Sequence, residues 1–378
     1  MLGLYIHIPF CVRKCPYCGF FSTHYEKVIA DEFLSALTLD IGVHSRYLRE
    51  HTIGSIYIGG GTPTTLSPDQ FSRLFNIINE HVHLTAGAEI TVEANPNTAT
   101  ADSLFLLKRL GVTRLSIGIQ SFSDEVLALL GRVHSANQAI AAVHAARNAG
   151  FESIGIDLIF GVPGQTEEQW NNTLETATSL DPEHISAYSL SLDEGSQWYR
   201  DGKDGRREPP DDDTTANMYG RAIQFLTSHG YHQYEISNFC IPGHECRHNS
   251  NYWDRGEYLG LGPGAWSFMG NRRWANIADV EQYASRLRSG ITVHDHDRFE
   301  SVNGEQAALE KLFLGLRKTS GVDLADYGSL FGGGALDSLL SRIGDLERDG
   351  FVTIQKGNLV LTGRGMLLSN EVLSRFIT

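Results

Sequence analysis

The sequence predicts an α/β protein: a partial barrel of six βα units, then a small α+β domain of winged-helix outline. Three observations carry this. Through the first 190 residues, short β-rich runs alternate with longer helical stretches, and repeated βα units build a parallel sheet. Near residue 300 that rhythm stops, and a helix, a hairpin and a further helix follow. The 378 residues are 41% hydrophobic, enough to fill one large core and one small one. The expected division is 1–295 for the barrel with its extension and 300–378 for the second domain.

The strands are expected at residues 4–8, 55–58, 89–93, 114–119, 153–159 and 184–190. Between them the apolar spacing predicts helices near 26–50, 67–83, 101–111, 123–149 and 166–180. Ser67 and Ser123 stand where an N-cap offers its oxygen to orphan N–H groups, and Gly111 and Gly150 follow helical runs as left-handed caps. The polar stretch 199–215, broken by Gly and Pro, predicts a surface loop. A helix near 213–229 and a strand near 232–237 continue the domain. Beyond 300, a helix over 335–350, a hairpin over 351–361 turning at Lys356-Gly357-Asn358, and a helix over 365–376 are expected. Asp337, Asp345, Glu347 and Asp349 offset Arg342 and Arg348, so the winged-helix outline lacks a basic recognition helix and no nucleic-acid partner is expected.

Bulk properties narrow the class. A net charge of −14 does not suit a nucleic-acid coat. No apolar run approaches the roughly 18 residues that span a bilayer, and the opening MLGLYIHIPFC lacks the regions of a signal peptide. The expectation is a soluble cytoplasmic protein. Five cysteines, three of them within eight positions, argue for metal or redox chemistry rather than a disulfide framework.

Those three, Cys11, Cys15 and Cys18, follow the first strand as CxxxCxxC. Thiolates this close favour zinc or an iron–sulfur cluster. Structural zinc wants four protein ligands, and His7 or His24 could complete such a set. One arm of three better suits a four-iron cluster with one iron open to a small molecule.

The CxxxCxxC pattern with an aromatic at Phe20 resembles the signature of the radical S-adenosylmethionine (SAM) superfamily. There a [4Fe–4S] cluster is held by the three cysteines, SAM chelates the open iron, and one electron cleaves SAM to methionine and a 5′-deoxyadenosyl radical. Gly59-Gly60-Gly61-Thr62-Pro63 resembles the segment that binds the SAM amino group. Gly118-Ile-Gln-Ser-Phe122, Gly131-Arg-Val-His134 and the run Asp157 to Thr166 resemble the coproporphyrinogen-oxidase-like branch, over nearly the whole chain. The resemblance implies a radical SAM barrel of (β/α)6 type. It also implies that Tyr5, Gly60, Gly61, Thr62, Glu93, Gln120, Arg132 and Asp157 contact SAM, with Ser191 and Trp266 at two further contact positions.

Two functions share this branch: anaerobic oxidative decarboxylation of coproporphyrinogen III in porphyrin metabolism, and binding of haem with transfer to target proteins. The enzyme carries a further cysteine two positions after the third ligand, where this chain has Phe20. The chaperones carry HNxxYW, matched by His248-Asn-Ser-Asn-Tyr-Trp253. The expected reading is therefore a haem chaperone, with His248 as an axial ligand, Tyr252 and Trp253 against the porphyrin, and coproporphyrinogen oxidase as the alternative. The same groups would hold SAM whether it is cleaved or only bound, so the sequence does not choose between an enzyme and a binding protein. The resemblance further implies acceptor haem proteins, respiratory and membrane-associated, reached by transient peripheral contact, a reductant such as a flavodoxin or ferredoxin, and a homodimer.

Overall fold

The computed structural model of the chain describes residues 2–204 and 211–376. Residues 205–210 of the expected loop lie outside these. Among the described residues one twelve-stranded sheet dominates. Its strands are β1 (Leu2–Ile8), β2 (Ile53–Gly60), β3 (Leu84–Ala94), β4 (Arg114–Gln120), β5 (Ile154–Phe160) and β6 (His184–Ser189). They continue with β7 (His232–Glu235), β8 (Asn238–Cys240), β9 (Tyr258–Leu261), β10 (Trp266–Met269), β11 (Arg272–Asn276) and β12 (His294–Ser301). Their spatial order is β12-β11-β10-β9-β1-β2-β3-β4-β5-β6-β8-β7. The first six strands are mutually parallel, as expected. A seventh, β9, adds parallel to β1, and antiparallel strands extend both sides. The sheet ends on β12 and β7 without closing.

Alternation along each strand positions the site. In β4, Leu115, Ile117 and Ile119 are fully buried, while Arg114, Ser116, Gly118 and Gln120 line an internal cavity. Helices Lys27–Val43, Pro68–His81, Ala101–Arg109, Ala136–Asn148 and Glu167–Ser179 cover the outer face and bury Phe33, Phe71, Leu104, Val143 and Trp170 in the main core. Each such side chain contributes about 1.5–3 kcal/mol. Ser67 accepts from Gln70 N–H in a reciprocal capping box, and Ser123 accepts from Val126 N–H. Gly111 and Gly150 are left-handed, at φ 93° and 87°.

Some expectations are corrected. The helix expected over 123–149 is two, Asp124–Leu129 and Ala136–Asn148; Gly131 at φ 66° breaks it and turns Arg132 toward the cysteines. The helix expected over 26–50 divides at His44 into Lys27–Val43 and Ser45–Glu50. The expected loop over 199–215 begins inside a helix, Gln197–Lys203, capped by Ser196.

The C-terminal residues form their own cluster around Leu312, Leu316, Leu339, Ile343 and Phe351, with strands Val322–Asp323, Val352–Gln355 and Asn358–Leu361. The final helix is two short ones, Gly363–Leu367 and Ser369–Ser374. The segment from helix Gly304–Gly315 to Thr319 touches both sides of the open sheet. Toward β7, Ile236 N–H donates to Arg317 O at 3.0 Å and Thr319 N–H to Tyr234 O at 3.1 Å. Toward β11, the Glu310 carboxylate accepts from Arg273 at 2.8 Å and Arg255 at 2.9 Å. Among the described residues no helix is long and apolar enough to cross a membrane.

Candidate functional site

A cavity of about 440 Å³ opens between the C-terminal ends of the parallel strands and a loop carrying the three cysteines. Strand pairing closes that loop: Phe10–Cys11 lies parallel to Thr23–His24, with Thr23 N–H donating to Pro9 O at 2.7 Å and Tyr25 N–H to Cys11 O at 3.1 Å. Cys11, Cys15 and Cys18 therefore hang on one stapled segment. Thr62 Oγ1 donates to Cys11 Sγ at 3.6 Å, and Arg132 Nη1 to Cys15 Sγ at 3.4 Å. Burial pushes the thiols of Cys11 and Cys18 up, Cys18 to about 11, so metal binding there would release protons.

Among the described residues no three His, Cys, Asp or Glu side chains converge on a point fit for one metal ion. Of the two histidines that could complete a zinc set, His7 has both ring nitrogens engaged and His24 only one. His7 Nε2 meets Phe21 O at 2.8 Å and its Nδ1 meets Tyr5 Oη at 3.0 Å, while His24 Nδ1 meets Val12 O at 3.1 Å. A four-iron cluster asks something different of three thiolates, because each binds its own iron.

The glycine segment after β2 fixes the loop from beneath. Gly61 N–H donates to Ile8 O at 2.9 Å and Thr62 N–H to Phe10 O at 2.7 Å. A Cβ on Gly61 would lie 2.6 Å from Phe10 O and 2.9 Å from Ile8 O, so only glycine permits this approach. Glu93, at the end of β3, accepts from Gly60 N–H at 3.0 Å and Tyr57 Oη at 2.9 Å; burial raises its carboxyl to about 7. Asp157 accepts from Ser116 Oγ at 3.2 Å and is also raised, chiefly by burial. Arg132 Nη2 donates to Gly118 O at 2.6 Å, while its buried Nε has no partner. Gln120 sits at φ 71°, a left-handed conformation that stores about 1–3 kcal/mol in a non-glycine residue and marks functional sites. Ser191 Oγ donates to Asp193 at the rim.

Cys11, Cys15, Cys18, Gly60, Gly61, Thr62, Glu93, Gln120, Arg132, Asp157 and Ser191 thus share one cavity. Three expected residues do not line it. Tyr5 lies behind Tyr57, ring centroids 6.3 Å apart, with its hydroxyl on His7. Trp266 begins β10 and is half-exposed outside the cavity wall. His248 is the most deeply buried of the three. It is 1% exposed, its Nδ1 meets Ser55 Oγ at 2.9 Å, and its Nε2 meets Tyr252 Oη at 2.8 Å. Both ring nitrogens are engaged by hydroxyl groups. Tyr252 is likewise occupied, and the Trp253 ring lies under the Arg317 guanidinium at 4.5 Å.

Helix Arg247–Trp253, which carries this motif, instead plugs the N-terminal end of the barrel. The Glu89 carboxylate accepts from Arg247 N–H at 3.1 Å and His248 N–H at 3.2 Å, and Asn249 reaches the cavity floor. Other lining residues were not foreseen: Tyr57, Arg114, Ser116, His184, Ser186 and Tyr188. Their signal was present as polar residues at alternate positions of apolar strands, Arg114-x-Ser116-x-Gly118-x-Gln120 and His184-x-Ser186-x-Tyr188.

Comparison with known proteins accords with this geometry. The family model of the radical SAM superfamily matches residues 5–177, and that of the HemN C-terminal domain matches 302–368. The chain is 38% identical to the heme chaperone HemW of Bacillus subtilis, over 100% of the chain and 99% of that protein. It is 41% identical to HemW of Escherichia coli over 70% of the chain and 69% of that protein. In fold it resembles coproporphyrinogen III oxidase (HemN) from Escherichia coli, described as a radical SAM enzyme. The TM-score is 0.86 and the identity 26%, covering 100% of this chain and 90% of that one. A radical SAM domain implies a [4Fe–4S] cluster and SAM, and the residues here fit both: three thiols on a stapled loop, a glycine-only backbone approach, and an unpartnered buried Arg132 Nε in the same cavity.

Proposed function

We propose that this chain, which belongs to the HemW family of haem chaperones within the radical SAM superfamily, binds haem and passes it to acceptor haem proteins, with a [4Fe–4S] cluster and SAM in its barrel. Cys11, Cys15 and Cys18 would hold the cluster. Gly60, Gly61 and Thr62 would face the SAM amino group, Arg132 its carboxylate, Gln120 its polar edges, and Glu93 and Asp157 its ribose hydroxyls. When bound, the cluster supplies one electron at the open end of the cavity. The chain's own contribution is positional. Thr62 and Arg132 donate toward the sulfurs of Cys11 and Cys15, and Glu93 fixes the Gly60 backbone. Residues 1–295 would carry this site and 300–378 would form the second domain.

The observation that carries the chaperone reading is Phe20. It lines the mouth of the cavity and is 65% exposed, where the oxidase pattern has a thiol. An exposed ring beside the cluster loop suits an apolar macrocycle. His248, held by Ser55 and Tyr252 in this structure, keeps the expected axial-ligand role as a proposal that haem titration of His248→Ala tests. The likeness to coproporphyrinogen III oxidase over the whole chain keeps decarboxylation as the second reading. Acceptor proteins, an electron donor such as a flavodoxin or ferredoxin, a homodimer, and a cytoplasmic setting with transient membrane contact belong to the same reading.

The test is anaerobic reconstitution followed by haem titration of wild type, Phe20→Ala and Cys15→Ala, beside an assay of coproporphyrinogen III conversion. Stoichiometric haem binding weakened by Phe20→Ala, without conversion, is the expected result. Turnover of coproporphyrinogen with no haem binding would make the chain a decarboxylase.

A further inference from the structure

Gly59, the first glycine of the run that ends β2, stands over a pair of side chains from two strands. Tyr57 is in register with Thr91, and Ile58 with Val92. Glu93 therefore lies diagonally across from Tyr57, within reach of an aromatic side chain. A Cβ on Gly59 would lie 2.8 Å from Glu93 Cδ and 2.9 Å from Tyr57 Cε1. Gly59 has no positive φ, so its backbone does not require glycine; the pair beside it does. Tyr57 Oη donates to Glu93 Oε1 at 2.9 Å, and Gly60 N–H to Oε2 at 3.0 Å. Each carboxylate oxygen keeps a lone pair for the cavity, which Tyr57 and Glu93 both line.

The Tyr57 ring is held in this place. It packs on Tyr5, with centroids 6.3 Å apart and planes at 30°, and on His248 of the floor helix, at 5.3 Å and 30°. Burial and the neighbouring Glu93 push its hydroxyl well above the usual tyrosine range, so it stays a donor. Burial raises the Glu93 carboxyl to about 7; the Tyr57 hydroxyl, Gly60 N–H and Arg114 act against that rise, and Asp157 adds to it. Tyr5 and Tyr252 face Glu93 from β1 and the floor helix, with hydroxyls that burial also keeps protonated.

Glu93 would receive the ribose hydroxyls of SAM as an acceptor, a task the neutral acid performs less well. We propose that Tyr57 is a positioning residue of the SAM site: its hydroxyl holds the Glu93 carboxylate in place and in its charged form, and so sets the pH range in which SAM binds tightly. This role rests on the reading of the cavity as the SAM site. It runs through Glu93, and it is the same whether SAM is cleaved or only bound.

The experiment measures SAM affinity by calorimetry from about pH 5.5 to about 9, on the reconstituted full chain. Wild type, Tyr57→Phe, Glu93→Gln and the double variant are compared. Loss of one hydrogen bond to a charged acceptor should raise the midpoint of the Tyr57→Phe profile by about one pH unit. SAM should then bind Tyr57→Phe roughly threefold more weakly near pH 7. The two proteins should agree at both ends of the range, where Glu93 carries the same charge in each. The ratio of variant to wild type removes the titration of the amino group of SAM itself. In the Glu93→Gln background, Tyr57→Phe should add no pH dependence. Gly59→Ala, which presses on the same pair, should also move the midpoint up. A deficit of equal size at every pH would make the tyrosine merely structural, and an unshifted profile would leave Glu93 independent of it; either result overturns the proposal. Wild type that binds no SAM at any pH would register separately, as failure of the reading of the cavity, and would take this role with it.

Discussion

Ser55 Oγ and His248 Nδ1 lie 2.9 Å apart, although 193 residues separate them in the chain. The contact ties the helix that closes the barrel floor to the second parallel strand, and burial lowers the imidazole to about 3, so it stays neutral. His248→Ala would leave the Ser55 and Tyr252 hydroxyls unpaired around a cavity, a loss on the order of 3 kcal/mol. The expected outcome is a lower urea midpoint. A shifted haem band in the fraction that stays folded would bear out the axial-ligand role of His248, and an unchanged haem spectrum there would remove it.

Gly61→Ala is expected to prevent cluster assembly without unfolding the barrel. The added methyl would press on the Phe10 and Ile8 carbonyls, which belong to the segment leading into Cys11. Iron and sulfide content after reconstitution should fall to less than half of wild type, with far-ultraviolet circular dichroism unchanged. Full iron loading would mean that the loop does not depend on this approach.

SAM binding should strengthen as pH rises through about 7. Burial raises the Glu93 carboxyl to about that value, so its charged, better-accepting form grows across this range. Glu93→Gln keeps the shape but removes the charge. It should bind SAM roughly tenfold more weakly, as for one charge-assisted hydrogen bond, and its affinity should be flat in pH. Calorimetric titration at several pH values checks both; a parallel pH slope in the variant would clear Glu93 of the effect.

Asp40 makes an opposite prediction, for stability. It accepts from Tyr283 Oη at 2.6 Å and Gly262 N–H at 3.3 Å, with His44 Nε2 at 3.8 Å, and burial raises it from 3.8 to about 6. The folded chain holds this proton more tightly than the unfolded chain. Its contribution is therefore greatest below about pH 4, declines as pH rises to about 6, and is constant above. His44 and His294, both lowered by burial, act the other way as pH falls. Asp40→Asn should be more stable than wild type at neutral pH by on the order of 2–3 kcal/mol, with the gap closing toward pH 4. Urea unfolding across this range decides; equal stability at neutral pH would refute it.

Local signals in the sequence were reliable. Ser67 and Ser123 cap where their side chains could reach an N–H three residues on, and the cysteine loop follows a strand whose alternate residues Leu2, Leu4, Ile6 and Ile8 are apolar. Contacts between distant segments were not legible. Nothing near His248 reveals that Ser55 will take its Nδ1, or that the helix carrying the motif packs against the barrel floor. Arg132 was placed near SAM by resemblance, yet the break at Gly131 that aims it was read as continuous helix. Arg114 was visible as a polar residue in an apolar strand, but its place on the cavity wall beside Ser116, Gly118 and Gln120 exists only once the sheet is assembled.

The parallel pairing of β1 with β9 sets a timetable. One neighbour of β1 arrives with residues 53–60, but the other is residues 258–261, about 250 positions later. At roughly 5–20 residues per second of synthesis, that interval is between about 12 and 50 seconds. For most of it the segment bearing Cys11, Cys15 and Cys18 has been made while one wall of its barrel has not. Iron delivered early would meet a half-sheltered trio of thiols; iron delivered late meets a finished cradle. The order of strands thus favours loading after the polypeptide is complete.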